Sequence, residues 1–489
     1  MSSGPYRGRA VVAADVVTTV AALAVVLLAL LGPLRMTVTD RPLTFGVWHA
    51  LFVAISVAAL RHSLVSTPSL VATVRGWFSA IARHRDLSEA LLVSSATRPA
   101  VLAIGFAAAA TFGILPSSEQ APSRRNTLRD LPARFDANWY AGIAAYGYEF
   151  QGRFDRQQNF AFFPAYPIAM RTAGAFTGAY SERVPMERRI TRFAWAGLAI
   201  SLVAFLFAAW YFAALAREVL GDDEVRPALL LLATYPFAVY YSAAYTESLF
   251  LLAALGTWFH SRREEFLRAA GWGLLLGLTR PNGFFLAVPL GLIALGVADA
   301  EPRRGGGGGG SMPAEPATDT YKWKRFSVGR LGVAIMPVVG MLLFTVWLQQ
   351  RTDVWFAWAR IHGAWGRVVG TTDPGWLFEA LGSQGLLRIV VDHPYKSLNA
   401  LGLLFALGLI GTVWRRLGPA WVAYVVVSVG APLAAGGVLS MGRLTSTLFP
   451  LFLALAAVLP ARAVPLVAVA FGLLQGLVAA LFYTWREMY

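Results

Sequence analysis

The sequence predicts an all-α polytopic membrane protein, on three observations. Apolar runs long enough to cross a hydrocarbon core of about 30 Å recur from one end of the chain to the other. Only 14% of the 489 residues are charged, against about 25% in an ordinary soluble domain. Aromatic residues are abundant, with 16 Trp, 16 Tyr and 31 Phe, the residue types that gather at membrane–water interfaces and on sugar-binding surfaces.

The charge balance narrows the class further. The net charge is +15, carried almost entirely by arginine, with lysine only at Lys322, Lys324 and Lys396. Such an excess suits anionic lipid surfaces and the positive-inside bias of membrane proteins. No basic helix or soluble domain is present to carry nucleic-acid binding, which is excluded as a function class. With no cysteine in the chain, disulfides and thiolate metal sites are excluded as well.

Met1–Arg9 is short and basic, which places the N-terminus in the cytoplasm. Val11–Leu31 crosses outward and Leu43–Leu60 returns. The interval from Arg61 to Arg98 is basic and moderately polar, with Arg75, Arg83 and Arg85, and reads as cytoplasmic, with room for a helix lying on the membrane surface. Pro99–Leu115 then leads out to a long polar interval, residues 116–189, on the extracytoplasmic side. Ile190–Ala214 crosses back, and Arg217–Arg226 turns at the inner face.

Two hairpins follow. Pro227–Tyr241 and Glu247–His260 flank an outer turn from Tyr240 to Glu247. Ala269–Leu278 and Phe284–Val297 flank Thr279–Arg280–Pro281–Asn282–Gly283. The halves of the second hairpin are short for full spans, and such Pro- and Gly-interrupted segments line cavities because broken backbone cannot face lipid.

Asp299–Arg330, with its unbroken run Gly305–Gly310, reads as a flexible cytoplasmic linker. Val328–Leu348 crosses out to a second polar interval, residues 349–396, rich in Trp and Arg. Ser397–Val413, Trp421–Ala435, Leu444–Leu459 and Val464–Tyr483 complete about thirteen spans, with the C-terminus outside. The chain thus divides into an N-terminal hairpin and basic segment (1–98), a core carrying the large outer loop (99–298), the glycine-rich linker (299–327) and a C-terminal module (328–489).

Chemistry concentrates in the first outer loop. Asp136 opens a helical pattern that Gly147 stops, so it has the place of an N-cap. A carboxylate there is equally a candidate base for taking the proton of an attacking hydroxyl at the membrane surface. Both readings stand at this point, and Asp130, Glu149 and Asp155 are rival carboxylates. One carboxylate suffices for glycosyl transfer if the leaving group is a phosphate.

Arg134, Arg280 and Arg443 fall at outer ends of spans or in outer loops. They suit a lipid phosphate and equally the anchoring of headgroups. The stiff aromatic segment Phe160–Pro167, with Phe163 and Tyr166, suits sugar stacking or an interfacial belt. Glu247, at the start of a span, is expected to face a cavity or to cap its helix. His393, before Pro394, has no partner at metal-ligand spacing. No Asp-x-Asp motif accompanies a soluble domain, which disfavours a nucleotide-sugar donor with a divalent ion.

Three stretches carry a resemblance. They are Arg134-Phe135-Asp136 with Trp139-Tyr140, Ile143-Ala144, Gly147-Tyr148 and Phe162-Phe163-Pro164-Ala165-Tyr166-Pro167; Tyr235-Pro236 through Ser242-Ala243-Ala244-Tyr245-Thr246-Glu247-Ser248-Leu249-Phe250; and Thr279-Arg280-Pro281-Asn282-Gly283. In this order they resemble the polyprenyl-phosphate-sugar-dependent glycosyltransferases of the GT-C membrane fold, specifically the PIG-V-type mannosyltransferases. That group comprises the second mannosyltransferase of GPI-anchor assembly and its prokaryotic relatives. Phe135 stands where the family has Trp, and Ala165 where it has Leu. The match thins after Gly283, and Met441-Gly442-Arg443 is only loosely similar to a late family arginine.

The resemblance implies Asp136 as the catalytic carboxylate and Arg134, Arg280 and Arg443 as donor-phosphate ligands. It implies Trp139, Tyr140, Phe163, Tyr166, Tyr245, Glu247, Asn282 and His393 as sugar or acceptor contacts. It further implies polyprenyl-phosphate mannose as donor, inverting transfer on the extracytoplasmic face, and no cofactor or metal. The acceptor would be a glycolipid, glycan or protein of the cell envelope. The Arg/Ala/Val-rich composition suits a GC-rich bacterial genome and a plasma-membrane location. Two alternatives are a transferase of this fold using another polyprenyl-phosphate sugar, and a polytopic transporter or lipid flippase. A transporter calls for midplane ionisable groups and internal symmetry, whereas the polar residues here gather in outer loops.

Overall fold

Apolar runs with few breakers become helices throughout the chain, and where proline and glycine interrupt them the helices split. The computed structural model describes residues 11, 13–22, 24–25, 34–38, 41–64, 72, 84–115, 129–180, 184–297, 326–367, 388, 391–392 and 394–486. We number its helices α1 (Ala13–Ala22), α2 (Val47–Leu64), α3 (Arg85–Phe112), α4 (Ala137–Tyr146), α5 (Ala165–Thr177), α6 (Met186–Val219), α7 (Val225–Thr234), α8 (Glu247–Arg262), α9 (Phe266–Thr279), α10 (Ala287–Ala294), α11 (Val328–Thr352), α12 (Ala357–Ile361), α13 (Pro394–Arg416), α14 (Pro419–Gly436), α15 (Met441–Ser446), α16 (Phe449–Val458) and α17 (Val464–Tyr483).

Among the described residues, six helices are long and apolar enough to cross a membrane: α3, α6, α11, α13, α14 and α17. Shorter apolar helices, among them α1, α7, α9 and α16, fill in around them. Several of the expected single spans are therefore broken pieces. Pro227–Tyr241 divides into α7 and the 3₁₀ turn Pro236–Ser242. Leu444–Leu459 divides between α15 and α16, with Pro450 in the first turn of α16. Pro99 does not start a helix, as expected, but lies within α3, which begins at Arg85.

The architecture is all-α and polytopic, as expected, with one short strand pair beside the helices. Leu34–Val38 and Arg41–Phe45 pair antiparallel as strands β1 and β2, Leu34 opposite Phe45 and Val38 opposite Arg41. β-Branched Thr37, Val38 and Thr44 favour that conformation, and the expected span from Leu43 begins as strand before α2 takes over at Val47. Within the N-terminal hairpin, Arg61 Nε donates to Asp15 Oδ1 at 2.8 Å, both side chains buried. In apolar surroundings a charge must be paired in this way. The linker's glycine run, Gly305–Gly310, lies outside the described residues.

Broken backbone inside a membrane needs internal partners. After α7, the carbonyl of Ala233 receives the guanidinium of Arg98, which also donates to Ala238 O at 2.6 Å. Gln475 Nε2, from α17, donates to the carbonyls of Ala233 and Tyr235 at 3.0 Å each. These bonds tie the central break to helices at both ends of the chain.

The second short hairpin packs by small residues. A Cβ added at Gly277 of α9 would lie 2.0 Å from the carbonyl oxygen of Pro337 in α11, and one at Gly340 of α11 would lie 2.4 Å from Leu274 O. The two helices thus touch backbone to backbone, as small residues allow between membrane helices. Because the neighbouring atoms are main chain, they have no rotamer to yield. Gly277→Leu is expected to cost more than the about 1–3 kcal/mol of ordinary overpacking. Thermal unfolding in detergent should show a lowered midpoint or loss of the folded monodisperse species.

Candidate active site

The residues brought together come from four separated parts of the chain. Asp136 immediately precedes α4, and the main chain before it is held in an unusual shape: Phe135 has φ 47°, with its ring against Phe482 at 4.7–5.6 Å-scale contact distances that also include Trp485 (5.6 Å to Phe482, 4.7 Å to Trp485). Arg134 Nε donates to Tyr483 O at 2.8 Å and Nη1 to Asp130 O at 2.5 Å. The end of α17 therefore sets where Asp136 lies. The Asp136 amide donates to Tyr245 Oη at 3.0 Å.

The helix-cap reading of Asp136 is decided by the geometry. Its carboxylate makes no capping bond to α4. Instead, Oδ2 accepts from Arg443 Nη1 at 2.6 Å. Arg443 Nε in turn donates to Glu247 Oε1, the same oxygen that accepts from Arg280 Nη1 at 2.9 Å. Glu247 is fully buried, while the side chains of Arg280, Arg443 and Asp136 retain 10%, 11% and 16% exposure. Of the two carboxylates in this charged chain, only Asp136 keeps exposure and lines the cavity, so it is the one open to a ligand.

Arg443 is aimed by its own short helix. The Gly442 amide donates to Asn399 Oδ1 of α13 at 3.0 Å, and the guanidinium lies 4.6 Å from the Tyr245 ring centre. Arg280 sits at the break between α9 and the 3₁₀ turn Pro281–Leu286, in extended conformation, 5.3 Å from the Phe250 ring. The interruption Thr279–Gly283 is thus what turns this arginine inward.

A cavity of about 590 Å³ opens over the cluster. Its polar wall is Asp136, Arg280, Arg443, Asn282, His362 and Arg367, and its apolar wall includes Phe284, Phe285, Pro432 and Leu439. Trp358, Trp365, Tyr140 and Phe163 complete the lining. Arg367 Nη2 reaches the Leu439 carbonyl at 3.4 Å and has no acidic partner among the described residues. His362 Nδ1 lies 2.5 Å from Trp358 O; a carbonyl only accepts, so the proton is on Nδ1 and Nε2 carries the lone pair. Burial, aided by Arg367, lowers this imidazole below its ordinary value of 6.5.

Of the residues expected at the site, Asp136, Arg280, Arg443, Tyr140, Phe163 and Asn282 line the cavity. Glu247 lies behind it as the buried anion, and Tyr245, fully buried, supports Asp136 and Arg443 from below. Three others lie away from it. Arg134 is spent on main-chain carbonyls and positions the loop. Tyr166 is fully buried, donating to Gly197 O at 2.7 Å and bonded to Ser201 Oγ at 2.8 Å, so it fastens α5 to α6. Trp139 faces a smaller adjacent cavity. The expectation for His393 falls outside the described residues. Sequence reasoning missed His362 and Arg367; the signal was the clustering of Trp and Arg in the second polar interval.

Residues 90–288 match the family model described as Mannosyltransferase (PIG-V), so that part of the chain is similar to this family, and six described helices are long and apolar enough to cross a membrane. The matched segment contains Asp136, Glu247 and Arg280 and ends before His362, Arg367 and Arg443. Comparison with curated proteins gives no match.

Removing the shared anion should be more damaging than removing either cation. Glu247→Ala leaves Arg280 buried without its carboxylate and Arg443 with Asp136 alone, a change that typically costs about 3–5 kcal/mol. Thermal unfolding should show a large drop, and mannosyl transfer should fall at least in proportion to the lost folded fraction.

Proposed function

We propose that the cavity transfers mannose from a polyprenyl-phosphate donor to a hydroxyl of a lipid-linked or cell-envelope acceptor, with inversion, on the extracytoplasmic face. The observation that carries this reading is the division of one cavity into a cationic head and an apolar flank. The cations Arg280, Arg443 and Arg367 suit a phosphate, and Phe284, Phe285, Pro432 and Leu439 suit a prenyl chain entering from the bilayer.

In the proposed step the acceptor oxygen bonds to the anomeric carbon as the bond from that carbon to the phosphate oxygen breaks. The bonding pair leaves on the phosphate, where guanidinium charge stabilises it and no protonation is needed. The proton of the attacking hydroxyl passes to the Asp136 carboxylate. Asp136 is the group with the geometry for this, because Glu247 is sealed from solvent. Arg443, bonded to both carboxylates, holds Asp136 in place.

A donor carrying another sugar on the same lipid phosphate is the second reading; donor competition separates the two. The matched family favours mannose. Asp136→Asn keeps the size of the side chain and removes the base. It is expected to lower transfer by about 10²–10⁴-fold, the usual worth of a positioned base, with the unfolding midpoint near that of the unsubstituted protein. Transfer from radiolabelled polyprenyl-phosphate mannose in proteoliposomes measures the effect, and an unchanged rate would remove Asp136 from this role.

A further inference from the structure

A second cavity, about 270 Å³ in volume, lies beside the first. Gln157 lines both, so the two adjoin at that side chain. Its floor is one face of α4: Asn138, Trp139, Gly142 and Tyr146, whose spacing brings them to the same side of the helix. The opposite wall is the loop bearing Glu149 and Gln151.

The chemistry of its lining differs from that of the larger cavity. Among the described residues no arginine or lysine faces it, and Glu149 is the one charged residue there. The amides of Gln158 and Asn159 are spent on structure. Gln158 Oε1 accepts from the Gln151 amide at 2.9 Å, and Asn159 accepts from the Glu149 amide at 3.1 Å while donating to Gly147 O at 3.0 Å. Those bonds hold the loop against α4. The side chains of Asn138, Gln151, Gln157 and Glu149 make no hydrogen bond among the described residues, so a ligand finds both donors and acceptors there. Trp139, held by stacking on Phe162 at 5.8 Å, and Tyr146, half exposed, supply aromatic surface with little freedom left to lose.

We propose that this cavity is a carbohydrate subsite that holds the acceptor glycan next to its reacting hydroxyl. Uncharged amides with fixed aromatic rings suit a neutral, hydroxyl-rich ligand, and the lack of a cation disfavours a phosphate. The placement is also apt: Trp139 follows Asp136 by three residues, about 4.5 Å along a helix axis at 1.5 Å per residue. A sugar against Trp139 therefore directs its neighbour toward Asp136. The inference rests on the glycosyl-transfer reading of the larger cavity.

Gly142 allows a direct test. A Cβ added there meets nothing within 4 Å, so a side chain at this position can start into the cavity that Gly142 lines. Binding of α-mannobiose to the full-length protein in detergent, followed by saturation-transfer NMR, should be saturable in the millimolar range, a few kcal/mol of affinity. Gly142→Phe should weaken it by about tenfold or more, equivalent to at least 1.4 kcal/mol, and Gly142→Ala should not. Farnesyl phosphate binding should be unchanged in both variants. Equal sugar binding by the unsubstituted protein and Gly142→Phe, or no binding of mannobiose, glucobiose or galactobiose at all, would overturn the subsite. Absence of farnesyl phosphate binding to the unsubstituted protein would instead overturn the lipid-phosphate reading and leave the sugar result to stand alone.

Discussion

Glu247 is the constraint on which the site depends. Its carboxylate is fully buried and one oxygen receives both Arg280 and Arg443. Taking a carboxylate out of water costs several kcal/mol unless geometry and hydrogen bonds repay it, and here two guanidiniums do so. The consequence is architectural. Arg280 comes from the break after α9, Arg443 from α15, and Asp136 from the loop before α4, so one buried anion fixes the relative positions of segments up to 196 residues away from it. A charge buried in a membrane bundle costs stability unless paired, and this pairing also creates a unique arrangement of the cavity head.

The same economy explains the broken helices. A continuous apolar helix satisfies its own backbone and presents only side chains. At Tyr235–Ser242 and at Arg280–Leu286 the helical ladder stops, and the freed groups must be met from elsewhere. Arg98 and Gln475 meet the first break. At the second, the interruption turns Arg280 and Asn282 into the cavity. Interruptions are therefore placed where polar groups must face inward, and the uninterrupted spans α3, α6 and α17 surround them.

Much of this was legible in the sequence, for reasons of different strength. Long apolar runs mark spans directly, and α17 begins and ends where its hydropathy pattern does, at Val464 and Tyr483. Short, Pro- and Gly-broken segments marked the cavity hairpin, because only such segments need one. Asp136 was legible as a candidate but its partner was not, since local sequence suits a cap equally; its carboxylate instead pairs with Arg443, 307 residues away. Arg134 misled for the complementary reason. Its neighbours in sequence are site residues, yet its guanidinium turns to the carbonyl of Tyr483. His362 and Arg367 were hidden because nothing local announces which face of a Trp-rich loop meets a cavity. The β1–β2 pair was missed because its strands are only five residues each, too short for a period-2 pattern to stand out beside a span.

The charge count at the cavity carries one more consequence. Among the described residues, three guanidiniums, from Arg280, Arg443 and Arg367, face two carboxylates, from Asp136 and Glu247, an excess of one cation. Excess charge in partly desolvated surroundings is unfavourable, and an anion entering the cavity relieves it. A ligand that binds only the folded state stabilises it by an amount that grows with its affinity, so an anion bound here would add to the cohesion of this site. The two carboxylates differ in setting: Glu247 is enclosed and balances charge, while Asp136 lines the cavity. One arginine bonded to both keeps the enclosed anion and the open one in a fixed relation, and that relation is what the segments around them are arranged to hold.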